Sequence, residues 1–228
     1  MKYQMCIRDS YDINSNPALV KRMIENFQKA SEKYFAEHPD SLIPSFEQEV
    51  RELGFQFEIA EQIKQFLPRY KDLILPISIK YYKKAVYDNE KNFFISLFHY
   101  KGFEEVVPML LDDFYSDKIS SLTRQFIGET LRSIRSKKYI DDYLKIIVNP
   151  QYGLARAPIF SLVGSLKVEK AIPILVNLLE VDKEFAPCAL QTLGSYKRRE
   201  LRPYFERFTN DPDIRLRKIA NAALKKLG

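Results

Sequence analysis

The side chains that could carry catalysis are few in this sequence and stand apart from one another. His38 and His99 are the two histidines, and neither has a companion ligand or nucleophile nearby in the sequence. Cys188 follows Pro187 on an expected apolar helix face, which is typical of an inert core thiol. The sequence contains no Gly-rich phosphate loop, Cys-x-x-Cys or Gly-x-Ser-x-Gly motif. We therefore expect no catalytic residue, no metal and no cofactor, and a protein that is not an enzyme.

Two pairs of adjacent carboxylates, Asp112-Asp113 and Asp141-Asp142, are the remaining candidates for acid–base chemistry. General acid–base work needs two carboxyl groups in different environments of one cleft. Neighbouring side chains on a helix point about 100° apart, and both pairs fall near expected helix ends. Helix capping or solubility explains these residues better than catalysis.

Length and composition indicate a folded, water-soluble chain. It has 228 residues, of which 46% are hydrophobic and 29% charged. There is no apolar run of about 18 residues that could cross a membrane, and no apolar segment near the N-terminus that resembles a secretory signal. Two cysteines cannot form a disulfide framework, so we expect a cytoplasmic protein.

The N-terminal hexapeptide MCIRDS, residues 5–10, matches the translated end of a transposon of the kind used in sequencing libraries. We therefore expect residues 1–10 to be foreign to the natural protein or disordered. This expectation includes Cys6, so no functional role is assigned to its thiol.

Apolar residues follow a helical period along most of the chain, and a proline recurs at a nearly constant interval. Leu19, Met23, Phe27, Ala30 and Tyr34 step by four, four, three and four residues. The recurring prolines, each in an apolar setting, are Pro44, Pro76, Pro108, Pro173 and Pro203, with Asp141 at the equivalent position in the gap. The successive intervals are 32, 32, 33, 32 and 30 residues, which is typical of a solenoid. Since proline is tolerated best in the first turn of a helix, these residues predict the starts of successive first helices.

A second set of helices is predicted between the proline-containing ones, separated by turn signals such as Asn149-Pro150 and Asn210-Asp211-Pro212. The predicted ranges are 55–66, 88–100, 118–135, 152–166, 184–196 and 213–227. A helix over 17–37 would cap the first unit.

The C-terminal segments resemble the HEAT-repeat family. The stretch RPYFERF resembles the first half of such a repeat, and NDPDIRLRKIANAALKKLG resembles the second half. Pro203, Asp211 and Arg217 match the family's proline, aspartate and arginine, and the resemblance is best from about residue 88 onward. Pro187 stands where the arginine of the fifth unit would be, so an Asp–Arg ladder through every unit is not expected. The resemblance implies an all-α, right-handed α-solenoid of about six helix pairs plus the capping helix, in one domain over 11–228.

Charge is distributed unevenly along the chain. Residues 1–130 hold 17 Lys and Arg against 20 Asp and Glu, whereas residues 131–228 hold 19 against 10. Residues one repeat apart lie side by side in a solenoid, so basic residues near the turns predict a basic ridge for phosphates or an acidic surface. Stabilisation of helix C-termini and solubility are the alternative explanation. The predicted contact residues are Arg132, Arg135, Lys137, Lys138, Lys167, Lys197, Arg198, Arg199 and Arg202.

Three functional hypotheses follow. The first is a monomeric interaction scaffold that binds a protein partner through its concave face, where second helices would expose Arg124, Arg132, Arg156 and Gln191. The second is nucleic-acid binding by the basic C-terminal half. Alkylpurine DNA glycosylases are similar in size and helical-repeat construction, but this chain has no tryptophan for their lesion site. The third is an immunity or regulatory protein that inhibits one enzyme, for which an electronegative N-terminal concavity would favour a basic target.

Overall fold

The computed structural model describes residues 17–228, and these residues form α-helices and short 3-10 helices without any strand. The predicted all-α class is therefore confirmed. Residues 1–10, including Cys6, lie outside the described residues. The chain divides into two compact units, one ending at Lys84 and the other beginning at Ala85, and each is described by itself. One solenoid domain over 11–228 stays a prediction.

The described part of the first unit contains three α-helices and one 3-10 helix. They are α1 (Pro17–Glu37), α2 (Ile43–Glu52), the 3-10 helix Ala60–Gln65 and α3 (Leu67–Lys84). α1 matches the predicted capping helix, but the predicted helix over 55–66 is wrong, because only the 3-10 helix forms there. The Arg51 guanidinium lies 4.1 Å from the centre of the Phe57 ring and donates to the Phe57 carbonyl at 3.3 Å. This contact and the extended Ile59 backbone keep the segment before residue 60 out of a helix.

Pro76 does not begin a helix, contrary to the expectation from the proline interval. It lies inside α3, whose first turns are interrupted at Tyr70, where φ is −119° and ψ is 34°. Pro76 has no N–H to donate to the carbonyl four residues earlier, and apolar packing of Ile74 and Leu75 holds the helix together around it. Pro44, in contrast, lies in the first turn of α2 as expected.

The second unit consists of nine α-helices connected by short turns. They are α4 (Asp88–Leu97), α5 (Val107–Tyr115), α6 (Ser121–Ile134), α7 (Ile140–Val148), α8 (Arg156–Leu166), α9 (Ala171–Val181), α10 (Ala186–Tyr196), α11 (Arg202–Glu206) and α12 (Ile214–Leu227). Shorter 3-10 helices span Glu104–Val106, Pro150–Ala155 and Arg199–Leu201. Pro108, Pro173 and Pro203 each fall in the first turn of their helix, as the sequence predicts.

The first and second helices of the second unit pack in pairs, and the second helices also pack on one another. α5 packs on α6, α7 on α8, α9 on α10 and α11 on α12, while α4, α6, α8, α10 and α12 contact each other in series. Equivalent residues do lie side by side: the Thr192 hydroxyl donates to the Phe160 carbonyl at 3.2 Å, and the Ser195 hydroxyl donates to the Gly164 carbonyl at 3.1 Å. The right-handed sense and the count of six pairs stay predictions.

Two buried tyrosines of this unit differ in whether their hydroxyl group has a hydrogen-bond partner. The Tyr196 hydroxyl donates to the Val168 carbonyl at 2.7 Å, and burial raises the pKa of Tyr196 to about 12. The Tyr143 hydroxyl is buried with no hydrogen-bond partner among the described residues. Leaving a buried polar group unpaired costs free energy that an intact hydrogen bond avoids.

Replacing each tyrosine by phenylalanine should therefore have opposite effects on stability. We expect Tyr196→Phe to lower the free energy of unfolding by about 1 kcal/mol, because a buried hydrogen bond is lost. Tyr143→Phe should leave it unchanged or raise it by up to about 1 kcal/mol, because only an unsatisfied hydroxyl is removed. Urea denaturation of both variants measures the difference, and equal losses at the two positions would contradict the expectation.

Candidate functional site

Two arginines predicted to line an exposed concave face serve the repeat structure instead. Arg156 is only 1% exposed, so its predicted exposure is wrong. Its guanidinium donates to the Ile147 carbonyl at 3.3 Å, in the last turn of α7. Arg124 is half-buried and donates to the Phe114 carbonyl at the end of α5 at 2.9 Å and to the Ser116 carbonyl in the turn before α6 at 2.7 Å.

Arg217 makes the same kind of contact in the last helix pair, where it donates to the Asp211 and Pro212 carbonyls at 2.6 and 3.0 Å. Arg124, Arg156 and Arg217 therefore occupy equivalent positions in their helix pairs. The signal was present in the sequence, because Arg124 and Arg156 are separated by the same interval as the recurring prolines.

Arg156 also forms a buried ion pair between two repeats. Its guanidinium donates to an Asp182 carboxylate oxygen at 2.6 Å and lies 3.8 Å from the centre of the Phe185 ring. Asp182 accepts a second hydrogen bond from the Phe185 N–H at 3.2 Å. With Pro187 in place of the next arginine, Asp211 accepts instead from the N–H of Asp213 at 2.8 Å, within its own turn. The Asp–Arg contact is thus not continued from this repeat to the next, as Pro187 indicated.

The turns that lead from each second helix to the next first helix form what we call the charged edge, comprising residues 101–106, 135–141, 167–171 and 197–202. Acidic and basic residues from neighbouring repeats pair along it. Lys138 lies 2.7 Å from Glu104, Lys170 contacts Asp141, and Arg198 lies 2.6 Å from Glu169. The residues of the predicted basic ridge do lie beside their neighbours one repeat away, but acidic side chains between them neutralise much of the charge.

The electrostatics of this edge favour the paired, charged state. The hydrogen bond from Lys138 holds the pKa of Glu104 below its usual value, and the hydrogen bond from Lys170 does the same for the pKa of Asp141. The pKa of Lys138 is correspondingly raised, first by its hydrogen bond to Glu104. Glu104, Asp141 and Lys138 are therefore ionised at neutral pH, and the Lys138 and Lys170 side chains are engaged in ion pairs within the protein.

Arg135, Lys167 and Lys197 occupy the same position in three successive repeats, immediately after the second helices α6, α8 and α10. All three adopt left-handed backbone conformations, with φ of 61°, 55° and 55°, where glycine is usual. Arg135 donates to the Ser165 carbonyl at 3.3 Å, and the Lys167 ammonium donates to the Ser195 carbonyl. Burial and the nearby Lys197 charge lower the pKa of Lys167. The Arg135 and Lys167 side chains thus cap the C-termini of α8 and α10, which accords with the helix-dipole explanation of the sequence pattern.

The other predicted contact residues divide into paired and unpaired cations. Arg132 lies 2.6 Å from Glu129, and Arg202 lies 2.8 Å from Glu206. In the described part of the chain, the exposed side chains of Lys137, Lys197 and Arg199 have no ion-pair partner. The structure does not gather all the predicted residues into one free basic surface.

The turns that lead from each first helix to its second helix carry exposed apolar side chains. Tyr115, Val148 and Val181 are the last residues of α5, α7 and α9, one repeat apart, and they are 36%, 46% and 68% exposed. Leu154 and Ile214 lie at the same set of turns, Leu122 and Phe126 lie in the first two turns of α6, and all four are exposed. We call these seven residues the apolar edge. They are seven of the nine exposed large apolar side chains in the second unit.

Contacts between neighbouring repeats show that these turns adjoin one another. The Tyr115 ring centroid lies 6.2 Å from that of Tyr152, and the Tyr115 hydroxyl donates to an Asp142 carboxylate oxygen at 3.3 Å. Burial and the Asp142 charge raise the pKa of Tyr115. The first two turns of the apolar edge are therefore in contact, with Tyr115 as an ordered aromatic anchor between them. Sequence reasoning missed it, although the regular interval between Tyr115, Val148 and Val181 was a signal.

Sequence reasoning also missed a polar cluster around His99. His99, predicted to be isolated, lies with its Nε2 atom 2.5 Å from the Ser133 hydroxyl and its Nδ1 atom 3.4 Å from the Thr130 hydroxyl. A serine bonded to a histidine is the first half of a nucleophilic site. The group facing Nδ1 is a hydroxyl rather than the carboxylate of a catalytic triad, and Ser133 lies at the C-terminal end of α6, where the helix dipole disfavours an oxyanion.

Cys188 is only half-buried rather than part of the core, and burial raises the pKa of its thiol. The low thiolate fraction at neutral pH is consistent with the inert thiol that the sequence predicts.

The first unit contains a groove of about 590 Å³ lined by Pro44, Ser45, Gln48, Glu49, Glu52 and Tyr81. The Glu49 and Glu52 carboxylates line this groove. Acidic groups of this kind are what the expected electronegative concavity for a basic target would need. Lys80 lies 2.7 Å from Glu49 and holds the pKa of Glu49 low through their hydrogen bond. One of the two carboxylates is therefore already neutralised within the unit.

Among residues 17–228, no group of three or more His, Cys, Asp or Glu side chains is placed to hold a metal ion. None of the helices over the same residues combines the length and apolarity needed to cross a bilayer. In comparisons with known proteins, the chain matches no family model, no curated protein and no solved structure.

Proposed function

We propose that this chain is a helical-repeat scaffold that binds a protein partner, and that the apolar edge is its principal contact surface. The observation that carries the proposal is the concentration of exposed apolar side chains along one set of turns. Isolated exposed apolar residues are ordinary in soluble proteins, but a contiguous group usually marks an interaction surface. Aromatic anchors such as Tyr115 and Phe126 are enriched in protein interfaces.

The charge arrangement supports a protein partner over a nucleic acid. Binding to phosphates draws its affinity from unpaired Lys and Arg side chains. Here Lys138, Lys170 and Arg198 are engaged by acidic neighbours, and Arg156 is buried. The sequence favoured the concave face as the binding surface, whereas the exposed apolar area favours the turns beside the second helices.

Substitution at the edge tests the proposal. Quantitative affinity capture with the full chain would compare the wild type with Leu154→Glu and Val181→Glu, at positions 67% and 68% exposed. Val86→Glu is the matched control, because Val86 is 82% exposed but lies outside the apolar edge. We expect a specific partner to be retained by the control and reduced at least about tenfold by both edge variants.

Two results would overturn this assignment. Retention of every partner by Leu154→Glu and Val181→Glu would exclude the apolar edge as the contact surface. Loss of the partner on Gln191→Glu alone would place binding on the second-helix face that the sequence predicted. Circular dichroism of each variant establishes that the fold is retained.

A further inference from the structure

The excess positive charge of the chain lies in its last helix pair and the turn before it. Residues 197–228 hold ten Lys and Arg against four Asp and Glu, a difference of six that equals the net charge of the whole chain. All four acidic side chains already accept a hydrogen bond or ion pair inside this segment. Among the described residues, five of the ten cations have no ion-pair or hydrogen-bond partner, namely Lys197, Arg199, Lys218, Lys225 and Lys226. These five charges are therefore available to a ligand of opposite sign.

α12 presents its part of this charge on a single face. Each residue turns the helix by about 100°, so all the exposed residues of α12 fall within an arc of about 140°. They are Ile214, Arg215, Lys218, Asn221, Ala222, Lys225 and Lys226. The opposite face is buried through Leu216, Ala220 and Ala223, and α12 packs on α10 and α11. α12 contains no acidic residue, and we call Arg215, Lys218, Lys225 and Lys226 its basic face.

The basic face begins where the apolar edge ends. Ile214, the last residue of the apolar edge along the chain, is the first residue of α12 and is 54% exposed. From Arg215 to Lys226 the helix rises about 16 Å, a distance that an extended chain covers with about five residues. At the far end, Arg202 of the charged edge donates to the Gly228 carbonyl at 3.1 Å. A peptide anchored on Ile214 can therefore follow the basic face as far as the charged edge.

A nucleic acid or a membrane fits this face less well than an acidic peptide does. Proteins held by the backbone of a duplex typically contact roughly six to ten phosphates, and the basic face offers three unpaired lysines. α12 has no aromatic residue on which the bases of a single strand could stack. Helices that bind anionic membranes insert an apolar face, and the apolar face of α12 is buried within the protein. A peptide can combine carboxylates for the lysines with an apolar residue for Ile214.

We propose that the basic face binds an acidic segment of the same protein partner that docks on the apolar edge. The inference rests on the proposed function, because it names the chemistry of that partner: an apolar residue on Ile214, followed by about five residues rich in Asp and Glu. Lys218 and Lys225, seven residues and about 10 Å apart, pair with carboxylates near the two ends of the segment. Arg215 keeps its ion pair with Asp213 and borders the contact. Opposite charges on the two surfaces also accelerate their association.

Fluorescence anisotropy with the full chain and a labelled peptide of two leucines followed by six glutamates tests the proposal. We expect saturable binding that weakens as salt is added, because the contacts join exposed charges. The double variant Lys218→Glu, Lys225→Glu should weaken binding at least about tenfold, because like charges then face each other. The matched control is Lys101→Glu, Lys137→Glu, which reverses two exposed and unpaired lysines outside α12. It alters the net charge equally and should change the affinity less than about twofold, because salt screens distant charges.

The variant Ile214→Ala tests whether the basic face and the apolar edge act together. We expect it to weaken binding of the leucine-containing peptide about threefold, because apolar contact area is lost. Binding of a labelled hexaglutamate without leucines should be unchanged. Equal losses for the two peptides would contradict the apolar anchor at Ile214. Circular dichroism establishes that each variant retains its helices.

The alternatives give different results. A labelled 20-base-pair DNA duplex, or a phosphatidylserine vesicle, that binds more tightly than the peptide and is lost on Lys218→Glu, Lys225→Glu would overturn the acidic-peptide assignment. Equal losses in the control variant would overturn the basic face as a site. If the peptide does not bind but the captured partner still requires Leu154 and Val181, the inference fails while the proposed function stands. If the peptide binds α12 and the captured partner survives Leu154→Glu and Val181→Glu, the basic face stands and the proposed function of the apolar edge fails.

Discussion

Replacing Arg156 by methionine is expected to lower the free energy of unfolding by about 3 kcal/mol, the largest effect among the changes considered. Methionine keeps much of the aliphatic volume but removes the charge that pairs with Asp182 at 2.6 Å. The Asp182 carboxylate would then remain in a largely buried site without its counter-charge, and a buried charge without a partner is strongly destabilising. Urea denaturation with a two-state fit measures the loss.

Arg132→Met is the matched control. Arg132 pairs with Glu129 at 2.6 Å, but the two side chains are 30% and 41% exposed. Exposed ion pairs contribute little, so we expect a loss below about 1 kcal/mol. Similar losses for the two variants would contradict the view that Arg156 connects two repeats through a buried pair, and would return it to the set of candidate contact residues.

Gly128→Ala is expected to lower the free energy of unfolding by about 1 kcal/mol or more, although alanine is the better helix former. A Cβ atom at Gly128 would lie 3.0 Å from the Ala155 carbonyl oxygen and 3.4 Å from the Pro158 ring. Both neighbours are rigid, so α6 and α8 would have to separate, and such overpacking costs about 1–3 kcal/mol. The gain in helix propensity, about 1 kcal/mol, offsets only part of this cost.

Gly194→Ala supplies the comparison within the same series of second helices. A Cβ atom there would lie 3.4 Å from the Ala223 Cβ atom, which is ordinary van der Waals contact. We expect this variant to be neutral or more stable by up to about 1 kcal/mol, from helix propensity alone. Thermal denaturation of the two variants measures this difference in stability. A destabilised Gly194→Ala or a stabilised Gly128→Ala would contradict the assignment of the close helix approach to Gly128.

Local sequence signals predicted most of the helices correctly. The starts at Pro108, Pro173 and Pro203 and the capping helix over 17–37 follow from proline chemistry and apolar periodicity, which act within a few turns of chain. The helix expected over 55–66 failed because Arg51, outside that segment, binds Phe57, and the Ile59 backbone is extended. The expectation that Pro76 begins a helix also failed, because burial of Ile74 and Leu75 outweighs the missing hydrogen bond.

Predictions about the candidate site depended on contacts between repeats and were less accurate. The sequence predicted that basic residues, Lys138 and Arg198 among them, would recur along one edge. It did not indicate that Glu104 and Glu169, each about one repeat earlier, would neutralise these two. Arg156 was assigned to an exposed face because its counter-ion, Asp182, lies in the next repeat.

The sequence by itself determined that this chain is helical, that its prolines recur at a nearly constant interval, and where most of its helices begin. These properties depend on backbone chemistry and on apolar spacing within single helices. Only the tertiary structure decided which cations are paired, which arginines are buried and that the exposed apolar residues share one edge. The reason is physical: exposure and ion pairing depend on which side chains of neighbouring repeats meet, and that follows from the stacking of helices rather than from any one of them.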